Sequence, residues 1–400
     1  MSNILIIDSP MMKKKKHTIN AIIAYLYSYY AQQESVVKVF SPYQQNWEDD
    51  LQTVLRTTRF SKIFVSLKWW HELYGAIKLL EYLQKYGYRK EIIIGGHTSV
   101  TFKNAIYQRF PGVQIYRSYP LPATLSLSKE IFEKGIVSGY VPLKEGCNEK
   151  CYFCGTFQVP KRGWLRSPIS IARDLEILSK NKEIEIFFDS DAESLLLEAL
   201  KLTNNSYHNK VYYFFWRKPN YNLIAKLCEK FQKVSICLDV VSLDDSAKEK
   251  LIRKGLLKRA MTIEEVIKKM EHIHKWFDVS IDISFAVGHP FESKDNIKRS
   301  LDNILSTYMR SSISGTIKAT PLHVLPNTLF NHLDTTYNPK WKNLDDFLFI
   351  SQSIYTGRDY YEVVLDPPDG YPLGFYNRHT SDAIITTYQW VIHTINSAND

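Results

Sequence analysis

Three cysteines, Cys147, Cys151 and Cys154, fall within eight residues in the run Gly146-Cys147-Asn148-Glu149-Lys150-Cys151-Tyr152-Phe153-Cys154-Gly155. Spaced four and three residues apart, they can wrap one short loop around an iron-sulfur cube and give it three thiolates. Structural zinc wants four ligands, often as two CxxC pairs, so a zinc site here needs a distant His, Cys228 or Cys237 as its fourth donor. The cube needs no fourth protein ligand. It leaves one iron open to a small chelating molecule, which is the arrangement of a reactive cluster. Five cysteines in all, an odd number, do not make a disulfide framework, and a reducing compartment would leave them free to bind metal.

The elements that must position this loop come in two series. From the start, short β-branched runs alternate with amphipathic stretches: Ile4–Asp8, Val36–Phe40, Lys62–Leu67, Glu91–Gly95 and Val113–Tyr116, with helices between them. Such alternation means a parallel sheet with helices on both faces, here a Rossmann-like domain over residues 1–125. A stretch with two prolines, Ser118–Ser128, closes it. A second series, residues 130–330, has candidate strands Val137–Val141, Ile184–Asp189, Val211–Trp216, Val234–Val241, Val279–Val287 and Gly315–Val324. Six βα units suit a partial, open (β/α)6 barrel of the TIM type, whose chemistry lies at the carboxyl ends of its strands, and the cysteines follow its first strand. Residues 331–400 read as a cap region. The fold class is therefore α/β, two domains and a cap, and 400 residues exceed what one core usually organises.

The CxxxCxxC spacing, Phe153 before the third cysteine and the strand leading into the loop resemble the radical S-adenosylmethionine (SAM) superfamily. Later segments fit in barrel order. Ser235–Gly255 resembles the fourth strand and its helix, Gly288-His289-Pro290-Phe291-Glu292 resembles the Gly-x-Pro-x-Glu turn after the fifth, and His323-Val324-Leu325-Pro326-Asn327-Thr328 resembles the turn after the sixth. The resemblance implies a [4Fe-4S] cluster on Cys147, Cys151 and Cys154 whose open iron chelates SAM and cleaves it reductively to a 5′-deoxyadenosyl radical. Family members often carry Gly-Gly-Glu after the second strand to hold the methionyl amine. This chain has Phe188-Asp189-Ser190-Asp191-Ala192-Glu193 instead, so Asp189 or Asp191 becomes the acceptor for that ammonium. Arg217, closing the third strand, is placed for the SAM carboxylate, a contact suited to a guanidinium fork. Ser242 and Arg253 stand either as SAM contacts or as a cap and a helix-surface ion pair. Backbone atoms of Phe153 and Val287 flank the adenine by analogy.

A Rossmann-like domain ahead of such a barrel resembles the cobalamin-binding subgroup, over about residues 1–330. Gly95-Gly96-His97-Thr98 resembles that subgroup's turn after the fourth strand, whose glycines let the backbone approach a ligand closely. Gly95, Gly96 and His97 are thus candidate cobalamin neighbours, with Trp69, Trp70 and His71 on the same face. Asp8-Ser9-Pro10-Met11-Met12 lacks the histidine of domains that supply a lower cobalt ligand, so a cobalamin-binding and a vestigial domain both stay open.

Three functions follow. The radical abstracts hydrogen from a peptide or natural product, as in peptide epimerisation, with the Cys237 thiol as hydrogen donor; or the enzyme is a cobalamin-dependent C-methyltransferase; or the cluster only carries electrons. The third is least favoured, because an electron carrier needs no barrel with matching later turns. The partners expected are the substrate, peptide or small molecule, and an electron donor such as flavodoxin or ferredoxin. A formal charge of +9 favours acidic partners, although Lys13 to Lys16 supply much of it in a run that reads as a solvated loop. Nucleic acid is disfavoured. No apolar run approaches the roughly 20 residues of a membrane span and the start lacks the plan of a signal peptide, so a cytoplasmic protein is expected.

Overall fold

The computed structural model describes residues 3–10, 18–33, 35–41, 46–88, 91–116, 121–133, 136–147, 151–154, 164–189, 191–216, 218–322, 343–358, 363 and 378–399. Lys13 to Lys16, Arg217 and the turn 323–328 lie outside them.

In the amino-terminal domain, strands β1 (Asn3–Asp8), β3 (Val36–Phe40), β4 (Lys62–Ser66), β5 (Glu91–Gly95) and β6 (Gln114–Tyr116) form one sheet in the order β3-β1-β4-β5-β6. Every pairing is parallel. β1 shows why it is buried on both sides: Ile4 and Ile6 enter one apolar cluster, Leu5 and Ile7 the other, as alternate residues of a strand must. Helix α1 (Ala21–Ala31) covers the first face; α2 (Trp47–Thr57) and α3 (Leu73–Lys85) cover the second. This is the doubly wound order, in which the order of strand addition reverses between β1 and β4, and ligands of such sheets sit beyond the carboxyl ends at that switch point.

The second sheet runs β12 (Ile317–Pro321), β11 (Ser280–Val287), β10 (Phe231–Val241), β9 (Tyr207–Phe215) and β8 (Ile186–Asp189), again all parallel. The segment after β7 (Ile136–Val137) adds the first barrel strand: the Val141 N–H donates to the Phe187 carbonyl, and the Phe187 N–H to that of Gly139, at 3.0 Å each. Gly139 is required there, since a Cβ would lie 1.9 Å from the Glu185 carbonyl oxygen. Six parallel strands with helices α6 (Pro168–Leu178), α7 (Glu193–Leu202), α8 (Tyr221–Lys230), α9 (Asp245–Arg253), α10 (Ile263–Trp276) and α11 (Lys294–Ser311) make the partial barrel. In the amino-terminal domain, α4 (His97–Thr101) and α5 (Lys103–Arg109) follow β5.

The two described helices of residues 331–400 part company. α12 (Leu344–Tyr355) packs on α3, with Tyr74 N–H donating to Ser351 Oγ at 3.0 Å and the Trp47 indole to the Tyr355 hydroxyl at 3.0 Å. α13 (Arg378–Asn399) lies against the barrel's last strand, where the Tyr388 hydroxyl donates to the Ala319 carbonyl. None of the described helices is long and apolar enough to cross a membrane.

The domains are joined through α1. A short strand before it, β2 (Thr18–Ile19), pairs in parallel with β7. Deeper in, the Arg166 guanidinium donates to Asp174 of α6 at 2.7 Å, to the Tyr25 hydroxyl of α1 at 2.9 Å and to the Leu125 carbonyl at 2.8 Å. Tyr25 in turn donates to Asp174. Both charged side chains are fully shielded from water, so this lock holds only because the two opposite charges face one another and share the Tyr25 hydroxyl.

Candidate active site

The carboxyl ends of both sheets open onto one cavity of about 710 Å³. From the amino-terminal domain it takes Ser66, Lys68 to His71 and Gly95 to Thr98; from the barrel, Cys147, Cys154, Asp189, Asp191 and Trp216. A second cavity of about 410 Å³ shares Asp191 and Trp216 and is lined by residues at the carboxyl ends of β8, β9 and β10, among them Glu193, Lys218 and Asp239, and by Arg259.

The cysteine loop leaves and rejoins the barrel through a short antiparallel ladder. The Glu145 N–H donates to the Trp164 carbonyl at 2.7 Å, and the Arg166 N–H to that of Leu143 at 3.1 Å. Its inner end is pinned by Tyr152, which is fully buried: its N–H donates to the Leu256 carbonyl at 3.1 Å and its hydroxyl lies 2.6 Å from His289 Nδ1. The other ring nitrogen of His289 is 2.9 Å from the Val241 carbonyl. A carbonyl only accepts, so Nε2 carries the proton and Nδ1 accepts from Tyr152. Burial pushes His289 down to about 4, which keeps this neutral tautomer in place. A tight turn, Cys154 N–H to the Cys151 carbonyl at 3.1 Å, completes the loop.

The turn after β11 is stapled by a residue sequence reasoning left without a role. Glu292 accepts the Gly288 and His289 N–H groups at 2.7 and 3.0 Å, and the Ser242 hydroxyl at 2.5 Å. Burial is the main reason its carboxyl is pushed up to about 7.

The charged groups of the cavity are few and placed at the strand ends. Asp189, closing β8, accepts from the Trp216 indole and is pushed up to about 6, chiefly by burial, with nearby Lys68 opposing. Lys68 closes the loop after β4 from the other domain. Its Nζ lies 4.7 Å from the centre of the Tyr140 ring and 5.0 Å from that of Trp69, and burial lowers its affinity for a proton. Glu72 fixes that loop by accepting the Lys68 and Trp69 N–H groups at 2.8 and 3.1 Å. Asp191 is ion-paired with Lys144.

The sequence candidates fall into two groups. Cys147, Cys154, Phe153, Asp189, Asp191, Gly95, Gly96, His97, Trp69, Trp70 and His71 all line the larger cavity, and Cys151 is half-buried beside them in the loop. Ser242 and Val287 sit at the ends of β10 and β11 but are spoken for: the Ser242 hydroxyl goes to Glu292, and the Val287 carbonyl accepts the Leu322 N–H at 2.8 Å. Arg253 is turned to solvent and ion-paired with Glu249 at 3.3 Å. Cys237 is buried within the second sheet, bonded to Tyr212, and burial pushes its thiol up to about 12. It lines neither cavity. Arg217 lies outside the described residues. Lys68, Tyr140, Lys144, His289 and Glu292 were missed as site residues. For Lys68 the signal was its place at the carboxyl end of a predicted strand beside two tryptophans.

Among the described residues, no group of three or more His, Cys, Asp and Glu converges as the ligands of a single metal ion would. The thiolates of a cube each take a different iron, and three half-buried thiols on one loop at a cavity suit that group. One observation suits a ligand on the amino-terminal sheet: the buried Ser66 Oγ, at the switch-point edge, has no hydrogen-bond partner among the described residues. Beside it Gly96, at φ +121°, lies so close to Leu67 that a Cβ would meet its carbonyl oxygen at 2.4 Å, so the turn itself requires glycine.

Residues 141–304 match the family model of the Radical SAM superfamily. These residues carry a radical SAM domain, and such a domain implies a [4Fe-4S] cluster and SAM as its cofactors. No curated protein matches it by sequence. Its fold is that of cobalamin-dependent members. The radical SAM methyltransferase TsrM from Kitasatospora setae, with cobalamin and a [4Fe-4S] cluster bound, superposes over 100% of this chain and 99% of its own at TM-score 0.63 and 11% identity. The same enzyme with its tryptophan substrate and a SAM analogue matches over 82% of this chain and 75% of its own, at 0.63 and 10%. The cobalamin-dependent radical enzyme OxsB matches over 98% and 66%, at 0.56 and 12%.

Proposed function

We propose that the chain is a cobalamin-dependent radical SAM C-methyltransferase whose acceptor is an apolar, flat group of a peptide or small natural product. One observation carries this reading: a single cavity lies on the carboxyl ends of both sheets, so a ligand at the amino-terminal switch point and one at the cysteine loop face the same space. Hydrogen abstraction of the epimerase kind wants a hydrogen donor on that space, and Cys237 is not on it.

When bound, the cluster and SAM supply one-electron cleavage of the sulfonium, and cobalamin supplies a transferable methyl group. The chain's own residues bind and orient. Cys147, Cys151 and Cys154 give the three thiolates, held in place by Tyr152 and His289. Asp189 and Asp191 receive the methionyl ammonium, and Arg259 with Lys218 supply positive charge for the carboxylate end in the adjoining cavity. The bare backbone of Gly95 and Gly96 admits a corrin edge, with His97 beside it. Trp69, Trp70, Tyr140, Phe153, Trp164 and Trp216 wall the acceptor space and exclude water.

The test is purification with hydroxocobalamin present, followed by anaerobic incubation with SAM, reductant and candidate aromatic acceptors. A stoichiometric corrinoid spectrum with S-adenosylhomocysteine among the products is expected. A protein that takes up no corrinoid yet yields 5′-deoxyadenosine would hand the function to direct hydrogen abstraction.

A further inference from the structure

The cysteine loop has an outer side as well as the cavity side. The Tyr152 N–H bonded to the Leu256 carbonyl ties it to the segment that follows α9, and Tyr152 shares one apolar cluster with Leu251, Leu256 and Leu257. The surface of this segment is strongly basic: Lys250, Arg253, Lys254 and Lys258 are exposed, against Glu249 as the exposed carboxylate of residues 246–258. At its centre is an aromatic residue held in an unusual conformation. Phe291, at φ +72°, is partly exposed, with Lys254 Nζ 5.6 Å and Lys250 Nζ 6.0 Å from its ring centre. A non-glycine residue in the left-handed region costs of order 1–3 kcal/mol and persists only where its surroundings impose it; here Glu292 imposes it by gripping the Gly288 and His289 N–H groups. An aromatic ring framed by cations is the composition of an interface centre with an electrostatic rim.

We propose that this surface, Phe291 flanked by Lys250 and Lys254, is the docking site of an acidic one-electron carrier of the flavodoxin class that reduces the cluster. The inference rests on the cluster reading of Cys147, Cys151 and Cys154. Position supports it, since Lys254 is two residues from Leu256, a span of at most about 7 Å, and Leu256 holds the residue next to Cys151. Charge supports it too: complementary surfaces speed the encounter of transient redox partners, whose interfaces are small. In the step itself the carrier's reduced flavin loses one electron and the cluster gains it; no bond forms or breaks.

The experiment compares the reconstituted wild-type protein with the double variant Lys250→Glu, Lys254→Glu. Cluster reduction is followed by loss of visible absorbance under photoreduced flavodoxin or under dithionite, and flavodoxin binding to the apoprotein is measured by calorimetry. Expected at low ionic strength is a rate with flavodoxin lower by about tenfold in the variant, converging with wild type at about 0.5 M salt, with weaker binding and an unchanged dithionite rate. Phe291→Ala should weaken binding at every salt concentration. Equal flavodoxin rates and equal binding in wild type and variants would overturn the docking site alone. A wild-type protein that dithionite cannot bleach would overturn the cluster reading and this inference with it.

Discussion

The hydroxyl of Tyr152 lies 2.6 Å from Nδ1 of His289, across 137 positions of sequence, and ties the cysteine loop to the turn after β11. Both side chains are buried. Tyr152→Phe keeps the ring and removes the donor, leaving a buried acceptor unsatisfied, at a cost of about 1–3 kcal/mol. The loop should then hold its cluster less firmly. Urea unfolding of the apoprotein and iron release to a chelator from the reconstituted protein test this; unchanged values in both would show that the bond positions nothing.

The same histidine gives the apoprotein a pH dependence. Its affinity for protons is depressed from the usual 6.5 to about 4, mostly by burial. The unfolded chain therefore binds the proton first as pH falls, so the stability that neutral His289 contributes is complete above about 6.5 and is lost as pH drops toward 4. The shift corresponds to roughly 3 kcal/mol. Measured against His289→Gln, which has nothing to titrate, wild type should lose that much of its relative stability between those pH values. Parallel pH profiles would contradict it.

Arg166 and Asp174 set a third expectation. Neither side chain touches water, and they hold α1 to α6 through Tyr25. Arg166→Met alone strands a buried carboxylate and should cost about 3–5 kcal/mol, whereas Arg166→Met with Asp174→Leu should recover most of it. Denaturant midpoints distinguish the two; a double variant no more stable than the single would mean that the lock acts through packing.

These relationships explain what the sequence could and could not reveal. Three cysteines in one short loop carry their meaning in their spacing, and β-branched runs such as Ile92-Ile93-Ile94 carry theirs in burial on both faces, so the cluster loop and both parallel sheets were legible. Lys68 was not, because what makes it unusual is the Tyr140 ring and the Asp189 carboxylate, both supplied by the other domain. The Ser242 hydroxyl stood open between a SAM contact and a cap for the same reason: its partner, Glu292, is 50 residues away. In α12, Leu344, Phe347, Leu348 and Ile350 make a plain apolar stripe, and nothing in such a stripe states which surface it will cover. α3 and Trp70 cover it.

Gly96 bears most directly on the proposed second cofactor. Its φ of +121° belongs to glycine, and a Cβ would stand 2.4 Å from the Leu67 carbonyl oxygen, so Gly96→Ala must move the β4 and β5 edges apart or strain the turn. Gly112 separates the two effects: it has φ +99° with nothing within 4 Å of an added Cβ, so Gly112→Ala bears the backbone strain without the collision. Gly112→Ala should lose about 1–3 kcal/mol of stability, and Gly96→Ala, which adds the collision, more than that. Gly96→Ala should also lose stoichiometric corrinoid in the visible spectrum while keeping its iron and sulfide content, because the cysteine loop belongs to the other sheet. Full corrinoid uptake by a folded Gly96→Ala protein would remove the turn after β5 from the cobalamin site.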